Sequence, residues 1–122
     1  MSKFTTLNLP TFTDPLGSLT VLQRELPFAV VRTYWIYGAD GKTRGGHRHT
    51  FARQALVAIV GKVSIYLNDG VTIDTIDLND PGKCLLVETN VWHTMKFGEG
   101  AVLLVMSSSF YDRNDYIDIP YE

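Results

Sequence analysis

The stretch "GGHRHTFARQALVAIVG", residues 45–61, places two histidines one residue apart, directly before a long apolar run. Successive side chains of an extended strand point to opposite faces. His47 and His49 are therefore predicted to share one face of a strand, while Arg48 points away from it. The only other histidine, His93, lies in the later segment "VWHTM".

Short segments rich in β-branched and aromatic residues, separated by turn residues, continue on both sides of this stretch. Residues 54–70 predict two strands that meet near Gly61 and end in an Asn-Asp-Gly turn. Many short strands without a long helical period predict an all-β fold, here a small jelly-roll β-barrel with a ligand pocket at one mouth. Only the tail after residue 109 could hold a helical turn. The other predicted strands cover residues 17–25, 28–37, 71–78, 83–88, 91–97 and 101–109, with a flexible loop over 38–46.

Length and composition limit the possible functions. The 122 residues predict a single domain over 1–122, and the formal net charge of −2 gives no indication of nucleic-acid binding or of an acidic membrane partner. The sequence contains no apolar run that approaches a membrane span, and no signal peptide is expected at its start. The single cysteine, Cys84, excludes an intrachain disulfide, so a cytoplasmic location is expected.

The histidine spacing resembles the motifs of the cupin family. The first cupin motif is a glycine, His-x-His, four residues, a glutamate, six residues and a glycine, and the second places a histidine at a set distance after a glycine. A single histidine on a strand is usually a satisfied core or surface residue, but here all three histidines fall on motif positions. The matching residues are His47, His49, Gln54 and Gly61 in the first motif, and Gly82 and His93 in the second.

Cupins commonly hold a divalent metal with three histidines and one glutamate. Here neutral Gln54 takes the place of the glutamate, and Glu88 lies at an odd offset from His93, on the opposite strand face. A cationic rim of arginines disfavours a cation and favours an anionic ligand such as a phosphate. We therefore predict a pocket without metal or cofactor, in which imidazoles move protons. Three imidazoles could still hold zinc, iron or nickel, so a metal-dependent dioxygenase or isomerase remains an alternative. The predicted rim consists of Arg32, Arg44, Arg48 and Arg53.

A more specific resemblance extends over most of the chain. The sequence is similar to the dTDP-4-keto-6-deoxyhexose 3,4-ketoisomerases, small cupins of deoxysugar biosynthesis. The most telling segment is the tail, because ordinary cupins do not end in a Tyr-Asp-x-x-Asp-Tyr segment. The matching pieces are "GSL" at 17–19, "RTYWIY" at 32–37, "RGGHRH" at 44–49, "VWHTM" at 91–95 and "SSFYDRNDYI" at 108–117.

This resemblance implies a substrate, a reaction and a set of site residues. The substrate would be dTDP-4-keto-6-deoxyglucose, whose keto group moves from C4 to C3 through an enediol or enediolate. His49 would be the base that takes the C3 proton, His47 its partner, and Arg44 the residue that holds the pyrophosphate or sugar oxygens. A homodimer with exchanged N-terminal strands and no metal is also implied. The remaining substrate-binding positions would be Arg32, Tyr34, Tyr37, Gln54 and His93.

The sequence also departs from the family pattern around the histidines. Arg48 replaces an alanine and Thr50 a lysine, Arg53 stands where an acidic residue is common, and Leu16 where a polar one is expected. A non-catalytic nucleotide-sugar-binding cupin is therefore a further alternative, and the C4 configuration of the product stays open.

Several other residues are expected to be structural. Trp35 and Trp92 are predicted to be core aromatics, Cys84 a buried small hydrophobe, and Asp112 and Asp115 turn or cap residues.

Overall fold

Two five-stranded sheets and a separate hairpin make up most of the computed structural model, which describes residues 3–121. Every strand pairing is antiparallel. Within these residues no helix has the length and apolar character needed to cross a membrane. The strands are β1 Phe4–Asn8, β2 Thr11–Asp14, β3 Gly17–Thr20, β4 Arg32–Ile36, β5 Thr43–His49, β6 Gln54–Val60, β7 Val63–Asn68, β8 Ile73–Leu78, β9 Lys83–Val87, β10 Trp92–Phe97, β11 Val102–Ser107 and β12 Tyr116–Ile117, with one 3-10 turn at Arg113–Asp115.

The strand order is that of a small jelly roll. The first sheet runs β1-β9-β6-β11-β4, the second β12-β5-β10-β7-β8, and β2 and β3 form the hairpin. The predicted all-β fold is confirmed, as are the two strands that meet near Gly61 and the helical turn in the tail. In the described chain β1 pairs with β9 of the same chain.

The main core lies between the two sheets. Leu56 and Leu103 of the first sheet meet Ile65 and Leu67 of the second, and all four are at most 1% exposed. The alternate residues of β6, such as Val57, form a second cluster that Leu22, Leu26 and Phe28 cover in part. Both faces of β6 are thus buried along much of its length, which explains why "QALVAIV" is apolar without alternation.

Several predicted boundaries need correction. The predicted strands over 17–25 and 28–37 are only Gly17–Thr20 and Arg32–Ile36, because the chain between them leaves the sheets to cover the outer face of β6. Two N-terminal strands, β1 and β2, were not predicted. The predicted loop over 38–46 is partly wrong, since β5 already begins at Thr43.

Two glycines in β5 make a bulge that decides which side chains face inward. His93 pairs with His47, and the next residue, Thr94, pairs with Gly45, so Gly46 is passed over in the ladder. Both glycines have positive φ, 88° and 79°, as a bulge often requires. The extra residue shifts the alternation of side chains along β5. Arg44, three positions before His47, therefore lies on the same face as His47.

Candidate active site

A cavity of about 400 Å³ opens between the sheets beside the paired histidines. Its walls come from β4, β5, β6, β10, β11 and the short β12, and they combine imidazoles, guanidinium groups and phenols with apolar side chains. The residues that line it are Arg32, Tyr34, Trp35, Ile36, Arg44, Gly45, His47, Gln54, Leu56, His93, Met95, Val105 and Tyr116.

The three imidazoles form one compact group. The ring centroid of His47 lies 4.9 Å from that of His49 and 5.1 Å from that of His93. His47 and His93 line the cavity, whereas His49 is 4% exposed and lies directly behind them. Adjacent positions on one strand face bring the first two together, and the β5–β10 pairing of His47 with His93 adds the third.

His49 is held by a buried carboxylate. Its Nδ1 lies 2.7 Å from Oδ2 of Asp115, and both side chains are about 5% exposed or less. The other oxygen of Asp115 accepts the backbone N–H groups of Phe51 and Ala52. Burial acts to raise the pKa of Asp115, but these hydrogen bonds and that of His49 outweigh it and hold the pKa below its usual value. The carboxylate is therefore ionised at neutral pH and fixes the His49 ring with its N–H on Nδ1.

The other ring nitrogen of His49, Nε2, is buried and has no hydrogen-bond partner among residues 3–121. Buried polar atoms without a partner are rare and costly. Burial lowers the pKa of His49, although Asp115 opposes the shift. The ring is thus neutral at neutral pH, with a free lone pair on Nε2, which is the arrangement of a general base.

The other two imidazoles are neutral as well. Burial, followed by the neighbouring His49, lowers the pKa of His47 to about 4. Burial lowers the pKa of His93 to about 3, and its Nδ1 lies 3.1 Å from the carbonyl oxygen of Val91. None of the three rings carries a positive charge at neutral pH, so the cations of the site are arginines.

Two of the four arginines predicted for the rim line the cavity. Arg32 and Arg44 are in its wall, and the guanidinium carbon of Arg32 lies 4.4 Å from the ring centroid of Tyr34. The prediction is wrong for the other two. Arg53 forms two hydrogen bonds to Glu88, and Arg48 stacks on a tyrosine ring of the C-terminal tail. Arg48 points away from the histidine face because successive residues of a strand alternate.

The predicted substrate-binding residues fall into two groups. Arg32, Tyr34, Arg44, Gln54 and His93 all line the cavity. The second group is Tyr37 alone. It follows the last residue of β4, is 70% exposed and does not contribute to the cavity wall. Its position agrees with strand alternation, which turns it away from the face that carries Arg32 and Tyr34.

Two predictions about structural residues also need correction. Trp35 is not a core aromatic, because it is 60% exposed at the edge of the cavity. Asp115 is not merely a cap residue, because its carboxylate holds His49. By contrast, Asp112 is the N-cap of the 3-10 turn and Cys84 is fully buried, as predicted.

Asp115 and Tyr116 are the site residues that sequence reasoning missed. The register of β12 against β5 pairs Tyr116 with His49, so the tail returns to the histidine strand. The ring centroid of Tyr116 lies 4.8 Å from each of the rings of His47 and His49. The unusual tail segment was visible in the sequence, but nothing in its local pattern indicates which strand it pairs with.

The three imidazoles are the donor set that a metal ion in the cavity would use. Among the described residues, His47, His49 and His93 can each offer a ring nitrogen, and these nitrogens lie within 4.8 Å of one another. Ligands of one tetrahedral zinc ion would be closer, about 3.3 Å apart at the usual Zn–N distance. The group includes no carboxylate, and two guanidinium groups share the cavity. The residues therefore fit an anionic ligand better than a dication.

Comparisons with known proteins agree on one family. The family model described as FdtA (WxcM-like, C-terminal) matches residues 2–121. A TDP-4-oxo-6-deoxy-alpha-D-glucose-3,4-oxoisomerase of Aneurinibacillus thermoaerophilus is 36% identical over 115 residues, which cover 91% of this chain and 83% of that protein.

Solved structures give the same picture. The WlaRB TDP-quinovose 3,4-ketoisomerase of Campylobacter jejuni has a TM-score of 0.93 at 39% identity, over 98% of this chain and 95% of that one. A mutant of the 3,4-ketoisomerase QdtA from Thermoanaerobacterium thermosaccharolyticum, in complex with TDP-4-keto-6-deoxyglucose, has a TM-score of 0.93 at 34% identity, over 98% of this chain and 89% of that one.

Proposed function

The chain belongs to the FdtA family (WxcM-like, C-terminal), and on that premise we propose that it is a sugar-nucleotide 3,4-ketoisomerase. It moves the keto group of dTDP-4-keto-6-deoxyglucose from C4 to C3. The observation that carries the proposal is the buried His49–Asp115 pair, directly behind a cavity that also holds two arginines. A base that is neutral at neutral pH beside an anion-binding wall suits proton abstraction from a nucleotide-linked keto sugar.

His49 takes the proton from C3. Its Nδ1–H donates to Asp115, so Nε2 is the nitrogen that receives the substrate proton. The carboxylate then faces an imidazolium and stabilises it. The same nitrogen returns the proton to C4 of the enediol, and the ring is restored. His47 lines the cavity beside His49, with 4.9 Å between the ring centroids, and acts as the partner of the base.

The arginines and the polar wall hold the rest of the substrate. Arg44 binds the pyrophosphate or sugar oxygens, and Arg32 lies where it can stabilise negative charge on the enediolate. Tyr34, Gln54 and His93 border the sugar, and the amide of Gln54 donates to the Tyr34 hydroxyl at 3.3 Å. Tyr37 has no part in this proposal because of its position outside the cavity.

We further propose that the protein is one domain that works as a homodimer in the cytoplasm. The hairpin of β2 and β3 supports the dimer, since it is separate from both sheets and exposes Phe12, Leu16 and Leu19. Such apolar side chains at an exposed hairpin suit pairing with a second copy. Light scattering coupled to gel filtration tests the assembly, and a monomeric mass at micromolar concentration would contradict it.

Proton NMR in deuterated water tests the reaction directly. Incubation with dTDP-4-keto-6-deoxyglucose is expected to yield the 3-keto isomer, with deuterium at C3 of the recovered substrate or C4 of the product. The His49→Asn variant is expected to lose turnover and exchange at C3 while it still binds dTDP, measured by calorimetry. Normal exchange in that variant would show that the base is another group.

Two controls separate the reaction from the alternatives. We expect the purified protein to contain no stoichiometric metal, and its activity to survive extensive chelation. A metal that is required for turnover would instead favour a metal-dependent cupin. Tight dTDP binding without turnover of the wild-type protein would indicate a non-catalytic binding protein.

A further inference from the structure

Two of the three imidazoles hold their N–H groups against acceptors of the protein. Nδ1 of His49 lies 2.7 Å from Asp115, and Nδ1 of His93 lies 3.1 Å from a backbone carbonyl. Burial lowers the pKa of His47 to about 4, so that ring is neutral at neutral pH as well. A neutral imidazole has one N–H. That N–H is a very weak acid, so none of the three rings is suited to protonate a sugar oxygen.

Ketoisomerisation needs more than bases. The net change moves a hydrogen from C3 to C4 and also exchanges the protonation of the two oxygens, since O4 gains a proton and O3 loses one. His49 can carry the carbon-bound hydrogen. The first step also needs a proton donor at O4. Without such an acid, the step would have to produce an unprotonated enediolate. No neutral ring of the trio can fill that role.

The remaining protic side chains of the cavity carry guanidinium groups, phenols, the Gln54 amide and the Trp35 indole. A guanidinium, an amide or an indole donates hydrogen bonds but does not release its proton. A phenol both donates and accepts. Among the residues that line the cavity, the phenols are Tyr34 and Tyr116, and only Tyr116 contacts the rings of both His47 and His49, at 4.8 Å between centroids.

We propose that Tyr116 is the acid and base for the sugar oxygens, working opposite the His49 base. This inference rests on the proposed ketoisomerase function. In the first step His49 Nε2 takes the C3 proton, the C3–C4 double bond forms, and the Tyr116 hydroxyl protonates O4. In the second step the phenolate takes the proton of the C3 hydroxyl, C3 becomes the carbonyl carbon, and the imidazolium returns its proton to C4. Both residues end as they began.

Three guanidinium groups lie around Tyr116. Arg32 and Arg44 line the same cavity, and the guanidinium carbon of Arg113 lies 5.8 Å from the Tyr116 ring. The backbone pairing of Tyr116 with His49 keeps the phenol and the base at a constant separation. Asp115 faces the transient imidazolium, and the cavity arginines can stabilise negative charge on the reacting oxygens in the transition state.

The test is Tyr116→Phe, which keeps the ring against the histidines and removes the proton. A loss in kcat of ~10²-fold is expected, the usual size of a general acid–base contribution, with KM changed less than about 3-fold and dTDP binding retained. Tyr66→Phe is the matched control, since Tyr66 is a half-buried tyrosine of β7 that does not line the cavity. Its kcat is expected to stay at the wild-type value.

A wild-type kcat in Tyr116→Phe would overturn the assignment. So would a loss in Tyr34→Phe as large as that in Tyr116→Phe, because the oxygen proton would then come from the other phenol. If Tyr116→Phe also loses dTDP binding, 3-fluorotyrosine at position 116 decides, because its phenol is more acidic: the pH profile of kcat is expected to shift to lower pH if the hydroxyl carries the proton, and an unshifted profile would overturn the assignment. A wild-type protein that does not turn over the keto sugar would instead refute the proposed function.

Discussion

At the scale of single residues, the site depends on which nitrogen of His49 carries the proton. The carboxylate of Asp115 accepts from Nδ1 and from two backbone N–H groups, so it has no donor role of its own. The lone pair of Nε2 is left for the substrate. The group that accepts from Nδ1 therefore decides which ring nitrogen carries the proton, and so whether His49 can act as a base.

Asp115→Asn tests this dependence with almost no change in shape. The amide oxygen can still accept from Phe51 and Ala52, but the NH₂ group then donates to Nδ1 of His49 and moves the ring proton to Nε2. A fall in kcat of ~10⁴-fold is expected, as for a carboxylate that sets a catalytic tautomer, with dTDP binding retained. Asp112→Asn is the matched control, because asparagine is an equally good N-cap. Equal kcat in both variants would contradict the tautomer argument.

At the scale of elements, the histidine strand was predictable and its partners were not. The spacing of His47 and His49, and the apolar run of β6, indicate strands from local pattern alone. The bulge in β5 is a property of two strands, since it appears only in the register between β5 and β10. The pairing of β12 with β5 places the turn before β12 against the histidine strand, so that Asp115 contacts His49, 66 positions earlier in the chain. Such contacts leave no periodicity in the sequence, so the loop prediction over 38–46 was partly wrong, and the prediction of Asp115 as a turn or cap residue missed its contact with His49.

The bulge also explains how Arg44 reaches the cavity, and Gly45→Ala tests it. A Cβ at Gly45 would lie 2.9 Å from the backbone oxygen of His93, and φ is +88°. A destabilisation of about 2–4 kcal/mol is expected, from left-handed strain together with the clash. Gly38→Ala is the matched control, since φ is +68° and nothing lies within 4 Å, so about 1 kcal/mol is expected there. Urea unfolding measures both. Equal losses would show that β10 moves aside without cost.

At the scale of the whole molecule, the barrel that creates the cavity also keeps its imidazoles neutral. Residues of both sheets line the cavity around the histidines, and the side chain of His93 is only 1% exposed. Desolvation disfavours the charged form of a ring, which gives the site bases at neutral pH. The same desolvation makes the folded state sensitive to acid. Below a pH of about 6.5, a histidine of the unfolded chain binds a proton, whereas the buried histidine of the folded chain stays neutral.

Stability is therefore expected to fall as the pH drops from about 6.5 to 5. The folded pKa values of His47 and His93 are about 4 and about 3, below that of the unfolded chain, so the unfolded state binds more protons throughout this window. Each such histidine adds a slope of up to ~1.4 kcal/mol per pH unit. His93→Gln is expected to reduce the slope of the free energy of unfolding against pH by about one histidine's share, measured by urea titration. Asp77→Asn should leave it unchanged, because the pKa of Asp77 is lowered by its hydrogen bond with Ser64 and lies below the window. An unaltered slope in His93→Gln would mean that His93 is charged in the folded protein.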